Sequence, residues 1–266
     1  MKKQIFFLLF LFLLFGVNGQ IIQNKVLFEE LSPSEFREII NKTPVAYLPL
    51  GTLEWHGEHL PLGSDGLQSK GFFEILAKEV CGVVLPMYFL GPDSKRIVNG
   101  EELIGMDFYS AKDHGNPEQK LDGSAYWISD TLFLQIVDAT LTQLKRAGFK
   151  IVVYHGHGPS TSGIQKKEKE LEEKYGLKLF NCWIEGAGNG YGLMTDHAAM
   201  NETSLIMALY PELVQMENLP ADTTKWPMGV MGNDPRIYAS PEVGNKSIKM
   251  VKDGMINILK KALAEL

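Results

Sequence analysis

Four short apolar runs, at 45–50, 82–86, 150–154 and 177–183, alternate with stretches in which apolar residues recur at helical spacing. That alternation constrains the fold more than any other feature. Short runs without polar alternation are typical of strands buried on both faces. A chain that returns through helix between such strands lays them parallel. The expected class is α/β, a parallel sheet covered by helices.

The helical stretches are marked by their own signals. Residues 28–41 carry the cap-like start Ser32-Pro33-Ser34-Glu35 and a stripe of Phe36, Ile39 and Ile40. Residues 66–80 follow with Leu67, Phe72, Leu76 and Val80. Phe133, Ile136, Val137, Leu141 and Leu144 keep the helical beat over 130–146, which Gly148 ends. A charged helix is expected over 161–175, an apolar one through 205–210, and an amphipathic one over 247–266. Residues 88–129 and 222–244 show no sustained period and are read as loops. The first is long enough to act as a lid or binding wall, with irregular filler as the alternative. Its His114 reads as a surface histidine. Neither a repeat nor a second composition regime appears, so one domain is expected over 20–266.

The first 19 residues stand apart. Met1-Lys2-Lys3 precedes an apolar run over 5–17, then Val17-Asn18-Gly19. This is the layout of a secretory signal peptide cleaved after Gly19. A retained anchor is the competing reading, and the run falls short of the roughly 20 residues that a span needs. The mature chain is therefore expected to be periplasmic or secreted, with no membrane attachment after cleavage. Export permits disulfides. Cys81 and Cys182, the two cysteines, either pair or remain buried thiols, and they lack the spacing of a thiolate zinc site. A net charge of −6 without a basic cluster argues against a nucleic-acid partner.

Two polar loops begin where the first and third apolar runs end. Ligands of open α/β sheets bind beyond the carboxyl ends of the strands, which is where both loops fall. The first holds Glu54, His56 and Asp65. If extended backbone continues past Leu53, Glu54 and His56 project from one face. A turn at Gly57, with Pro61 and Gly63 shaping the return, brings Asp65 back to them. Two carboxylates and an imidazole suit a divalent metal such as Zn or Mn, the alternative being a solvated polar loop. The second loop is His155-Gly156-His157-Gly158-Pro159. A third cluster, Asp196-His197 with Glu202, precedes the 205–210 run. There Glu202 either complements the start of the helix or belongs to a site.

These segments, in this order, resemble the creatininase (creatinine amidohydrolase) family of metal-dependent hydrolases. The matching pieces are the block from Gly51 through Glu54-Trp55-His56-Gly57-Glu58-His59-Leu60-Pro61 to Asp65, then Gly156-His157-Gly158, then Asp196-His197 with Glu202-Thr203-Ser204. The fourth is Gly229-Val230-Met231-Gly232-Asn233-Asp234-Pro235. Together they span roughly 26–266. The resemblance implies a single-domain three-layer α/β/α fold, a small-molecule substrate, two divalent metals per chain (Zn and/or Mn) and a ring-like homohexamer. It implies that Glu54, Asp65 and His157 hold one metal. His56 helps hold the second, with Asp65 bridging. His197 takes the place of a proton-transfer residue, and Trp183 of an aromatic pocket wall.

This chain departs from the creatinine-hydrolysing members in several places. Pro159 stands where they carry a glutamate ligand, so Glu202 is the candidate to complete the second site, or else to act as an acid/base. His155 replaces the usual Asn, as an extra ligand, a group backing one, or a substrate contact. Leu193-Met194 replaces a Trp-Asp pair, and Leu121-Asp122-Gly123-Ser124-Ala125 replaces a His-x-Phe-Pro-Gly-Thr run. The expected activity is exported, metal-dependent cleavage of a C–N bond in a small amide, cyclic amide or amidine, with creatinine itself disfavoured. The alternatives are a non-catalytic metal- or small-molecule-binding protein on the same fold, and a metal-dependent hydrolase of peptides or phosphoesters.

Overall fold

The structure is a computed structural model that describes residues 25–109, 115–184 and 190–266. The expected signal segment and His114 lie outside the described residues. The strands are β1 (Val45–Leu50), β2 (Val83–Val84), β3 (Lys95–Val98), β4 (Glu101–Ile104), β5 (Ile151–Gly156) and β6 (Lys178–Asn181). The helices are α1 (Pro33–Lys42), α2 (Ser64–Val80), α3 (Asp130–Ala147), α4 (Gly158–Gln165), α5 (Glu168–Tyr175), α6 (Met200–Leu209), α7 (Pro235–Tyr238) and α8 (Pro241–Ala264).

The central sheet has the order β2-β1-β5-β6, and every pair is parallel. β1 and β5 are buried at all six positions, which is why their sequences are continuous apolar runs. Side chains alternate across the sheet. Val45, Tyr47, Ile151 and Val153 pack with Phe72, Leu205, Val251 and Met255, from α2, α6 and α8. Ala46, Leu48, Leu50, Val152 and Tyr154 pack on the other side with Phe133, Val137 and Leu141 of α3. The result is a three-layer α/β/α arrangement. Each fully buried Leu or Phe contributes about 1.5–3 kcal/mol, so the two faces supply most of the stability.

Several boundaries differ from expectation for local reasons. α2 begins at Ser64 rather than Gly66, which puts Asp65 in its first turn. The stretch 161–175 is two helices, because 165–170 contains no apolar residue to hold a continuous stripe against the core. α8 starts at Pro241, where the Ser240 hydroxyl accepts from the Val243 amide. The loop 88–129 contains the antiparallel hairpin β3–β4 and a 3₁₀ turn at Gly105–Phe108, and α7 interrupts 222–244. Both cysteines are free thiols, Cys182 buried. Among the described residues, no helix is long and apolar enough to cross a membrane.

The register brings Leu50 beside Gly156, so the two loops that follow β1 and β5 leave the sheet side by side. Gly156 has φ +146°, and a Cβ there would stand 1.6 Å from the Leu50 carbonyl oxygen. At Gly158 an added Cβ meets nothing within 4 Å. Gly156→Ala should therefore cost roughly 3 kcal/mol or more, lowering Tm by about 6–12 °C. Gly158→Ala should leave it nearly unchanged. Thermal melts of the two variants side by side test this, and equal melting temperatures would refute the steric account.

Candidate metal centre

The loop after β1 is closed by main-chain bonds. Gly51 N–H donates to the Tyr88 carbonyl (2.6 Å), Glu54 N–H to Leu62 (2.9 Å) and Ser64 N–H to Pro61 (3.0 Å). β1 ends at Leu50, so the one-face placement of Glu54 and His56 expected from continued strand does not hold. The Glu54–Leu62 closure and the positive φ of Gly57 (+65°) curl the chain instead. As a result His56 approaches Asp65 directly, whereas Glu54 faces the rings of His157 and His197.

Asp65 lies between two imidazoles. Its Oδ2 is 2.8 Å from His157 Nδ1, and its Oδ1 is 3.3 Å from His56 Nε2. Glu54 Oε2 lies 3.2 Å from the same His157 nitrogen, yet it is buried without an aligned donor. Glu54, Asp65 and His157, all buried, bring ligand-type atoms within 4.8 Å of one another. A second such group is His56, His197 and Glu202, and there Glu202 Oε2 is 3.5 Å from His56 Nε2. His56 thus faces a carboxylate from α2 and another from α6.

The three imidazoles share one arrangement. A carbonyl only accepts, so each ring donates one N–H to main chain. His56 Nδ1 donates to Glu54 (3.1 Å), His157 Nε2 to Pro92 (3.2 Å) and His197 Nε2 to Trp55 (2.8 Å). The other nitrogen of each ring is turned toward carboxylates, the disposition of histidines that bind metal ions. His197 Nδ1 is 3.8 Å from Glu54 Oε1, and its ring packs on His56 with centroids 4.2 Å apart. Reciprocal main-chain bonds to Met231 fix its position.

Glu202 combines the two roles considered for it. Its Oε2 accepts from the Ala198 amide (2.7 Å) at the start of α6 while facing His56. Asp196 takes the other amides of that turn, from Asn201 (2.7 Å) and Glu202 (3.1 Å). Glu54, Asp65, His157, Pro159, Trp183, Met194, Asp196, His197 and Glu202 line a cavity of about 160 Å³. His155 is fully buried and meets Trp183 edge-on at 6.0 Å, and it belongs to neither group of ligand-type atoms. Asp93 also lines the cavity, with Oδ2 3.3 Å from His157 Nε2. Sequence reasoning missed it. It falls in the stretch without period, and the Gly91-Pro92 turn before it was the sole local signal.

Electrostatics calls for positive charge here. Burial pushes Glu54 up to about 7 and Glu202 well above the carboxylate range. Burial opposes the charge on His56 too, but Asp65, Glu202 and Glu54 outweigh it and raise the ring to about 10. His157 is raised likewise, against burial, by Glu54, Asp65 and Asp93. Burial and the nearby His56 lower His197 to about 3. Without a metal, two imidazolium groups take the place of cations. Carboxylates and imidazoles in this number suit Zn or Mn, and the residues therefore fit the group.

A parallel α/β sheet with two carboxylate–imidazole clusters beyond its carboxyl edge defines a class of protein built to bind metal ions at strand ends. Comparison with known proteins gives the family. The model for creatininase, described as creatinine amidohydrolase, matches residues 29–102 and 114–259. The creatinine amidohydrolase of Pseudomonas putida is 23% identical over 192 residues, covering 66% of this chain and 68% of that protein. A solved creatininase with Mn superposes with TM-score 0.66 at 20% identity, over 90% of this chain and 98% of that one. A mutant creatininase of Zn-Zn type gives 0.65 at 20% identity over the same shares. The chain belongs to the creatininase family of metal-dependent amidohydrolases.

Metal must displace the protons on His56 and His157, so affinity is expected to rise with pH and binding at pH 7.5 to release protons. Calorimetry in buffers of different ionisation enthalpy reads the release directly. The stability sign follows from the raised His56. In the metal-free form its contribution is complete below about 6.5 and lost as pH rises through about 10. Metal-free protein should therefore melt at progressively lower temperature from pH 6.5 to 10. Buffer-independent enthalpies together with a flat pH profile would contradict this assignment.

Proposed function

We propose that the protein is a two-metal amidohydrolase that cleaves a C–N bond in a small amide, cyclic amide or amidine other than creatinine. Glu54, Asp65 and His157 would hold one ion, and His56 and Glu202, sharing Asp65, would hold the second. The observation that carries this reading is the convergence of Asp65 Oδ1 (3.3 Å) and Glu202 Oε2 (3.5 Å) on His56 Nε2. It supports Glu202 as the carboxylate that compensates for Pro159. Divalent ions bound here lower the pKa of a water to about 7 and polarise the group under attack.

The chain's own residues supply the rest. His197, anchored through Nε2 to the Trp55 carbonyl, keeps a free Nδ1 toward the cavity. It is neutral at physiological pH, so Nδ1 takes the proton of the attacking water and returns it to the leaving nitrogen. Trp183 offers a flat wall, backed by His155. Met194 and Pro159 give apolar surface where creatinine-hydrolysing members carry polar groups, which supports a different substrate. Residues 1–19 are proposed to direct export, leaving 20–266 periplasmic or secreted. A homohexamer is the proposed assembly, on family resemblance.

Elemental analysis of protein purified without added metal or chelator should give close to two ions per chain. Glu202→Gln should lose one of them, and Glu54→Gln should lose metal and turnover together. His197→Ala should keep both ions and reduce kcat on an amide and lactam panel by about 10²–10⁴. Undiminished turnover in His197→Ala would falsify its role. No metal uptake even after incubation with Zn or Mn would sink the hydrolase reading and leave a scaffold that has kept only its fold.

A further inference from the structure

Resting on the two-metal reading above, we infer that Asp93 is a positioning carboxylate for His157, holding that ring with Nδ1 turned to Glu54 and Asp65. The main chain beyond β2 runs beside β1. Leu85 N–H donates to Tyr47, Tyr88 N–H to Pro49, and Gly51 N–H returns to Tyr88. This irregular extension carries Gly91, Pro92 and Asp93 over the outer edge of the His157 ring.

The contact is built on both sides. Pro92 O (3.2 Å) and Asp93 Oδ2 (3.3 Å) share the His157 Nε2–H. The other carboxylate oxygen, Oδ1, accepts from the amide (2.6 Å) and hydroxyl (3.2 Å) of Ser94. That leaves Oδ2 committed to the ring. Close approach is permitted by two glycines. A Cβ at Gly91 would stand 3.3 Å from His157 Cδ2 and 2.8 Å from Ser160 Oγ. A Cβ at Gly105, where φ is +56°, would stand 2.8 Å from Asp93 Oδ2. Trp127, bridged to Gly91, lies 5.9 Å from the His157 ring and bounds the same space.

The consequence follows from tautomer chemistry. A neutral imidazole has one N–H and one lone pair. Acceptors at Nε2 keep the proton there and leave the lone pair on Nδ1, facing the metal-type carboxylates. A carboxylate at that position also makes Nδ1 a stronger base, which tightens its hold on a cation. The hairpin β3–β4 and the turn after it thereby gain a function: they press Asp93 against a ligand ring.

Asp93→Ala and Asp93→Asn, made in the full chain, test the inference by competition for Zn with a chromophoric chelator. Asp93→Ala should weaken one of the two sites by about 10–100-fold and spare the other. Asp93→Asn keeps an acceptor without the charge and should fall between Asp93→Ala and the parent. In Zn-loaded protein, the His157 Nε2–H resonance should shift upfield and exchange faster with water in both variants. Unchanged affinity and resonance would overturn the inference. So would a rise in KM at unchanged affinity, which would make Asp93 a substrate contact. A parent protein that takes up no Zn refutes the two-metal reading instead, and a Tm loss beyond about 5 °C in Asp93→Ala alone is controlled by the Asn variant.

Discussion

The close contact between β5 and β1 at their carboxyl ends is the constraint on which the site depends. Leu50 and Gly156 are register partners, and Gly156 lies so near the Leu50 carbonyl that no side chain fits between them. The loop carrying Glu54 and His56 and the turn carrying His157 therefore start from adjacent points. α2 returns beneath them and delivers Asp65 from its first turn. Four ligand-type residues from three elements meet because two strands pair in one register. A slip of one residue would exchange the side chains of the two packed faces as well as separate the ligands. Core and site thus enforce the same alignment.

Burial makes the site costly without cations. Asp65 gains from its place at a helix N-terminus, but that is worth about 0.3–1 kcal/mol, up to about 2 where partly buried. Desolvating a carboxylate costs several kcal/mol. The dipole therefore loses, and positive charge must be recruited. In the metal-free state His56 and His157 provide it as imidazolium, held by Asp65 between them. Bound ions would replace those protons, so the same carboxylates that destabilise an empty site favour a filled one. His197 belongs to the other regime. It sits beside His56, and burial together with that neighbour keeps it neutral.

Much of this was legible in the sequence, for identifiable reasons. The continuous apolar runs at 45–50 and 150–154 announced strands buried on both faces, and β1 and β5 are those strands. Loops at their ends mark the functional edge, and the structure brings together the candidates they carry, Glu54, His56, Asp65 and His157. The turn at Gly57 was legible, but the strand that would have aligned Glu54 with His56 ends at Leu50, and Glu54 N–H closes the loop onto Leu62, a main-chain bond that no local pattern reveals. His155 was a candidate because it replaces the family's usual Asn; the structure buries it beside Trp183 and outside both groups of ligand-type atoms. Asp93 was invisible, because its role comes from a ring 64 residues later in the chain. Local periodicity reports burial, whereas convergence between distant loops is set by tertiary contact.

The substitution at Pro159 changes where the proposed second site is anchored. A ligand at that position would project from the first turn of α4, which follows β5 directly. Glu202 instead projects from the first turn of α6, where its Oε2 also accepts from the Ala198 amide. One carboxylate then both caps a helix and faces His56, so its position follows α6. That helix is packed tightly against α8, where a Cβ on Gly244 would stand 2.0 Å from the Ser204 carbonyl oxygen. It is tied to the first loop as well, by a hydrogen bond of 2.8 Å between His59 Nε2 and Thr203 Oγ1. Under the proposed function, a ligand lost from the start of α4 would be offset by one from a helix fixed on two sides. Such a site would keep its geometry only while α6 stays docked, which would couple the proposed second ion to the packing of the C-terminal helix.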